Sequence, residues 1–315
     1  MPELKPNPAD LKAISQPVSI AGLRGQLQFD EPMASHVSWR AGGKVKYAYT
    51  PADLDDLAAF VGRLRPDEPL MCVGLGSNLL VRDGGYDGTV ILCHAAMKVM
   101  RVEPDGSIYI EAGVASPKVA RYAASNGRSG MEFLAGIPGT LGGALAMNAG
   151  CHGGETWQFV ERVLMLNRRG ELHVRQPDEF SVGYRHVGLK ASCDELFAAA
   201  WLRLPVGEEA ASRQRIAELL EKRSASQPLD LPNAGSVFRN PPGDHAARLI
   251  EQAGLKGLSC GGAKVSEKHA NFIVNPEGMA TASEIERLIQ QIQAIVREKF
   301  GVDLKREVRI VGVAA

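Results

Sequence analysis

The chain has no surplus of either charge: 36 Lys and Arg stand against 36 Asp and Glu in 315 residues. Without a net field it offers nothing in bulk to nucleic acid or to an anionic membrane, so any anion it holds must be held locally. Cysteine is scarce and poorly placed for a framework. The five residues (72, 93, 151, 193 and 260) are odd in number, far apart and without a C-x-x-C, which argues against a disulfide scaffold or zinc ribbon and fits a reducing compartment. The seven histidines form no H-E-x-x-H or other ligand spacing, so no metal site is expected. No run approaches the ~20 apolar residues of a membrane span, and residues 1–8 lack an apolar signal core. A soluble cytoplasmic protein without membrane insertion is expected. Internal repeats and low-complexity tracts are absent, and 315 residues suggest two or three compact units.

What the chain does have is glycine in two clusters. Residues 136–150 hold five glycines and a proline, too many for one helix or strand throughout. Tight turns or a packed small-residue helix would explain that run alone; so would a phosphate, whose oxygens want convergent backbone amides. The second cluster, Gly74-Leu75-Gly76-Ser77-Asn78-Leu79, lies between short apolar runs and reads as strand, turn, strand. It is no Rossmann fingerprint, because Leu79 takes the third glycine position and no helix follows. Two phosphate-cradling loops about sixty residues apart suggest one large phosphate-bearing cofactor between them.

Along the chain, Val45–Tyr49 reads as a strand. A helix follows it, with Thr50 as cap, Pro51 at the first position and Leu54, Leu57, Val61 and Leu64 on one face. From 70 to about 205 short strands dominate, at 70–73, 78–81, 89–92, 98–103, 107–112, 160–168, 170–175 and 197–204, with a helix from Ser116 to Gly127. Helices are then expected over 208–223, where Lys222 and Arg223 suit the C-terminal end, and over 244–253. A third runs from the Thr281–Glu284 capping box to Gly301. Strands near 262–265 and 271–274 lie between them. The last strand, 304–311, alternates, which puts Glu307 and Arg309 on one face with Lys305.

Further motifs turn this into a resemblance. Both glycine clusters look like the FAD-binding loops of the vanillyl-alcohol-oxidase type fold. Together with Gly183-Tyr184-Arg185-His186, Asn233 to Pro241 and Arg306-Glu307-Val308-Arg309, the chain resembles the UDP-N-acetylenolpyruvoylglucosamine reductase family from about Ser38 to Gly312. Residues 262–271 resemble the form lacking an extra tyrosine-bearing substrate loop. The resemblance implies an α+β fold of three domains: residues 1–69 with a returning C-terminal strand at 302–315, residues 70–206, and a substrate-binding domain at 207–301. The first two would hold FAD. Its contacts would be Gly74, Gly76, Ser77, Asn78 and Leu79 on one side, and Gly139, Thr140, Gly142, Gly143, Asn148 and Ala149 on the other.

By the same resemblance NADPH reduces FAD, and the reduced flavin gives hydride to the enolpyruvyl group of a UDP-linked amino sugar in peptidoglycan precursor synthesis. Arg185 matches the arginine that meets the substrate carboxylate, and Glu307 the glutamate that stabilises the enolate-like charge. Ser236 matches the proton donor; it has no Gly-x-Ser-x-Gly elbow and no adjacent histidine, so a hydrolase nucleophile is a poor alternative. Tyr184, Asn240 and Arg309 match contacts to the uridine diphosphate end. Val187 departs from the family, which commonly has serine there. Cys151 and His152 invite covalent flavin attachment, but a small packed thiol and a loop histidine explain them, so non-covalent FAD in a monomer is expected. Two rivals stay open: an alcohol or sugar oxidase of the same flavin fold, and a uridine-nucleotide sensor without catalysis.

Overall fold

A computed structural model describes residues 19–315, so the loose arm expected over residues 1 to about 17 lies outside the described residues. The first unit comprises β1 (Gln26–Pro32), β2 (Lys44–Thr50), α1 (Leu54–Val61), β3 (Leu70–Val73), β4 (Leu79–Val81) and β5 (Tyr86–Leu92). Four of these strands form one mixed sheet in the order β1-β2-β5-β3. The boundary expected at 69/70 therefore falls inside a sheet: β3 and β5 run parallel beside β2 and complete the first unit. Helix α1 is capped one turn later than expected. Asp53, not Thr50, accepts the Asp56 amide (2.9 Å): in its extended conformation (φ −161°) the short carboxylate reaches forward over the first turn. Buried Asp56 then ties helix to strand by accepting the Tyr49 hydroxyl at 2.6 Å.

The second unit contains β6 (Met100–Val102), β7 (Ile108–Glu111), α2 (Ser116–Ser125), α3 (Leu141–Met147), β8 (Gly150–Cys151) and β9 (Gly154–Glu155). Beyond them come β10 (Val160–Asn167), β11 (Leu172–Arg175), β12 (Phe180–Gly183), β13 (His186–Leu189) and β14 (Glu195–Leu202). Five strands make an antiparallel sheet ordered β11-β10-β14-β7-β6, and β12 and β13 form a hairpin. Helix α4 (Glu209–Ser226) was expected to open the third unit, but it packs on the second. Its Ile216 joins the core of α2 and α3, and the Ser212 hydroxyl donates to Glu132 at 2.6 Å.

The rest of the chain supplies α5 (Ala246–Gln252), β15 (Ser259–Cys260), β16 (Ala263–Val265), β17 (Ile273–Val274), α6 (Ala282–Phe300) and β18 (Arg309–Val311). Helix α6 forms the expected capping box, with Thr281 and Glu284 bonding each other's amides, and ends on left-handed Gly301. Its apolar stripe, Ile285 to Val296, packs on a core that also takes in Trp39, Ala41 and Leu80 from the first unit. The Trp39 indole donates to the Ile273 carbonyl (2.8 Å), while the Asn275 amide donates to the Trp39 carbonyl (2.9 Å). Arg82 grips Glu286 through two nitrogens at 2.8 Å each, and Asp83 accepts the first amides of α6.

The expected strand 304–311 is split. Residues 305–307 pair with 237–239, through Arg239 N to Lys305 O (2.9 Å) and Glu307 N to Val237 O (2.8 Å). Only Arg309–Val311 continues as β18, now parallel to β4. The change of partner at Val308 breaks the regular alternation, so Glu307 and Arg309 do not share a strand face. The fold as a whole is α+β, and no helix among the described residues is long and apolar enough to cross a membrane.

Candidate active site

The two glycine clusters meet. A Cβ on Gly74 would strike the Thr140 side chain, and one on Gly139 would lie 3.3 Å from Ser77 Oγ. The Ser77 hydroxyl donates to the Pro138 carbonyl at 2.6 Å, joining the loops directly. Gly76, at φ +60°, lies so close under the His36 carbonyl that no side chain fits. Among the described residues, the backbone amides of 74–78 and of Gly139, Thr140 and Gly143 have no protein acceptor. Two adjoining rows of uncommitted N–H groups, one at the start of α3, suit the pyrophosphate of FAD.

The expected FAD contacts do not all stand alike. Gly143 is exposed, and a Cβ there would meet nothing within 4 Å. Gly142 instead turns into the fold: its amide donates to Ala112 O (2.8 Å), and a Cβ would lie 2.9 Å from the Ala112 methyl. Leu79 is a buried residue of β4. Asn148, buried and left-handed at φ 42°, spends its side chain on protein: Nδ2 donates to Glu155 Oε2 (2.9 Å) and Gly183 O (3.3 Å), and Oδ1 accepts the Trp157 amide (3.2 Å). The Ala149 amide closes the end of α3 on Ala144 O. These last two hold the scaffold, and Asn148 in particular anchors the hairpin that carries Arg185.

Arg185 occupies the tip of the β12–β13 hairpin at φ 53°, a left-handed conformation costing an arginine about 1–2 kcal/mol. Its Nε donates to Glu307 Oε1 at 2.8 Å and a terminal nitrogen to Gly150 O at 3.0 Å. The pair therefore sits where the glycine stretch 136–150 ends. From the other side, Asn78 Nδ2 donates to the Glu307 carbonyl (3.2 Å) and the Asn78 carbonyl accepts the Arg309 amide (3.0 Å). Val187 packs against the core of the second sheet, which suits valine at a position where the family has serine.

Burial pushes the Glu307 carboxyl above its ordinary range, against the opposing pull of Arg185 and then Arg239. Lys305 and Arg309, expected to face it, are exposed, and the cations that pull on it are Arg185 and Arg239. Ser236 is half-buried, precedes the segment that pairs with Glu307, and makes no hydrogen bond to a described residue. Its proton is uncommitted. Of the expected substrate contacts, Tyr184 is 51% exposed with the Arg185 guanidinium 5.2 Å from its ring. Asn240 Oδ1 accepts the Ala246 amide at the start of α5 (3.1 Å), and Arg309 is exposed at the start of β18.

Two cations were invisible as site residues in the sequence. In the sequence Arg223 is a helix-end charge; in the fold its Cδ approaches Gly136, and burial pushes its guanidinium down from its ordinary range. Cys151 lies near it. Its thiol is held above the ordinary range by burial, against Arg185 and Arg223, and donates to the Phe133 carbonyl at 3.5 Å. Arg239 is the second. Nothing local distinguishes either from a surface arginine, because what surrounds them comes from distant segments.

Comparison with known proteins agrees with this geometry. Residues 45–175 match the FAD binding domain family, and residues 227–311 match the UDP-N-acetylenolpyruvoylglucosamine reductase C-terminal domain family. A UDP-N-acetylenolpyruvoylglucosamine reductase of Thiobacillus denitrificans is 54% identical over 313 residues, covering 94% of this chain and 96% of its own. One from Legionella pneumophila is 56% identical over 292 residues, covering 92% and 94%. The crystal structure of the Thermus caldophilus reductase superposes with a TM-score of 0.77 at 32% identity, over 91% of this chain and 99% of that one. With its glycine loops, its Arg185–Glu307 pair and these relatives at more than half identity, the chain belongs to the UDP-N-acetylenolpyruvoylglucosamine reductase family.

Proposed function

We propose that this chain is the flavoenzyme that reduces the enolpyruvyl group of UDP-N-acetylenolpyruvoylglucosamine to give UDP-N-acetylmuramate for peptidoglycan, with NADPH as reductant. The observation that carries it is the Arg185–Glu307 pair set between the two glycine loops and the Ser236 segment. FAD, when bound, supplies the hydride. Addition of hydride to a vinyl ether conjugated to a carboxylate leaves enolate-like charge, which needs donors already in place. Arg185 offers a fixed fork of N–H groups, held by Glu307 and Gly150 before substrate arrives. Burial raises the Glu307 carboxyl above its ordinary range, which favours the protonated form able to donate to that charge, against the pull of Arg185 toward the carboxylate. The Ser236 hydroxyl then protonates the neighbouring carbon, a general-acid step worth about 10²–10⁴-fold.

Gly74–Asn78, Gly139, Thr140 and Gly143 would hold the FAD pyrophosphate through their free amides. Tyr184, Asn240 and Arg309 meet the uridine diphosphate end, and Arg223 adds a poorly hydrated cation beside the 136–150 loop. The protein works as a cytoplasmic monomer on a small molecule, with no nucleic acid partner. Anaerobic titration tests this. NADPH should bleach the bound flavin, and the enolpyruvyl substrate should restore its colour. A flavin reoxidised by oxygen but not by that substrate would favour an alcohol or sugar oxidase. A protein that binds the uridine nucleotide without either colour change would be a sensor.

A further inference from the structure

Glu307 has a second arginine beside it, and that arginine has no carboxylate of its own. Arg239 stands on the segment that pairs antiparallel with 305–307, with Phe238 opposite Arg306. Val237 is then opposite Glu307 and Arg239 opposite Lys305, and residues two apart on such a segment point to the same face. Arg239 and Glu307 are thus diagonal neighbours on one face, at the ~7–8 Å spacing that long side chains bridge. Among the described residues Arg239 forms no ion pair, and its Nε is buried without a hydrogen-bond partner. Arg185 differs: it bonds Glu307 Oε1 directly and is anchored at Gly150.

We propose that Arg239 is a positioning residue for Glu307, its unpaired charge setting the pH at which that carboxyl changes protonation state in the enolpyruvyl reduction. The proposal rests on the function proposed above and deepens it. The charged groups around the Glu307 side chain are Arg185 from the hairpin tip and Arg239 from the 237–239 segment; Lys305, Arg306 and Arg309 on its own stretch are exposed, and Asn78 is uncharged. A cation favours the carboxylate and so lowers the pH of its titration. Removing Arg239 must move that titration upward. A unit charge at ~7 Å through an effective dielectric of ~20 corresponds to a shift of about one to two pH units.

The test is an infrared titration of the FAD-loaded enzyme, following the protonated-carboxyl band that Glu307→Gln abolishes. Arg239→Gln is expected to raise its midpoint by about one to two units, and Arg239→Met to do the same. Arg239→Lys, which keeps the charge, should leave it within about half a unit of the unsubstituted enzyme. The pH profile of single-turnover flavin reoxidation by the enolpyruvyl substrate should move with the band, while flavin content and its reduction by NADPH stay unchanged. A midpoint that does not move in the neutral variants, or that moves equally in the lysine variant, overturns the proposal. Because the infrared midpoint needs no substrate, its failure is distinguishable from failure of the enzymatic reading, which would appear as no reoxidation in the unsubstituted protein.

Discussion

Gly142 and Gly143 are adjacent in sequence and should fail in opposite ways. At Gly142 an added Cβ would lie 2.9 Å from the Ala112 methyl and 3.1 Å from the Ala112 carbonyl, which already accepts the Gly142 amide. Nothing flexible is there to give way. Gly142→Ala is therefore an overpacking lesion costing about 1–3 kcal/mol. At Gly143 the same atom enters open space, and the residue lies within α3. Valine suits a helix better than glycine by a few tenths of a kcal/mol, so Gly143→Val should leave the apoprotein's stability within about 0.5 kcal/mol. What it obstructs is the approach of the pyrophosphate to the free Gly143 amide. We expect FAD affinity to fall at least ~10-fold, equivalent to about 1.4 kcal/mol. Urea unfolding of deflavinated protein measures the first effect, and flavin fluorescence titration the second. A Gly143→Val protein that binds FAD as tightly as the unsubstituted chain would remove this amide from the cofactor site. Gly142→Ala with unchanged apoprotein stability would remove the packing argument.

Ser236→Ala should leave flavin reduction by NADPH nearly unchanged and slow reoxidation by the enolpyruvyl substrate at least ~10²-fold, with partial recovery in Ser236→Cys. Equal slowing of both half-reactions would end its role as acid. Unfolding should release the flavin from the chain; colour retained by the denatured polypeptide would point back to Cys151 or His152. At Asp56 burial favours the neutral form, but donors from Tyr49 (2.6 Å), the Arg24 amide (2.7 Å) and the Ala52 amide (2.9 Å) together outweigh it and hold the carboxyl below its ordinary value. Its contribution to stability is thus present above the ordinary carboxylate range and lost as pH falls through the folded value. Asp56→Ala should cost about 3 kcal/mol in urea unfolding at pH 7, and the gap should narrow below pH 4; a gap independent of pH would contradict the assignment.

What was legible in the sequence is what local chemistry decides. The Thr281–Glu284 box, the Gly301 stop and the helix at 116–125 needed only neighbours within a turn or two. The glycine clusters were visible as places where side chains are excluded, but not what excludes them. Gly143 is open where Gly142 meets Ala112, thirty residues back in the chain. The same limit applied to the strand at 304–311. Its alternation was real, yet half of it pairs with 237–239 and half with β4, so the shared face read for Glu307 and Arg309 was lost at the switch. Helix α4 is legible as a helix but its neighbour is not, since nothing in its sequence names Glu132 as the partner of Ser212. Arg239 carries no local mark at all: its meaning comes from a carboxylate 68 residues away.

The placement of Trp39 bears on how this chain could be taken apart or recombined. Residues 227–311 are matched as a family of their own, which invites treating them as a transferable module. Yet their core is completed by Trp39, Ala41 and Leu80, and the tryptophan both gives and receives a buried hydrogen bond there. A side chain of that size buries ~150–250 Å², about 4–6 kcal/mol of apolar burial that an isolated fragment would lack. A chimera that exchanged this piece between two relatives would have to bring residues 39–41 and 80–83 along with it, from the far end of the gene. Crossovers that respect the linear boundary would split one core between two parents, so the unit that can be inherited intact is nearly the whole chain.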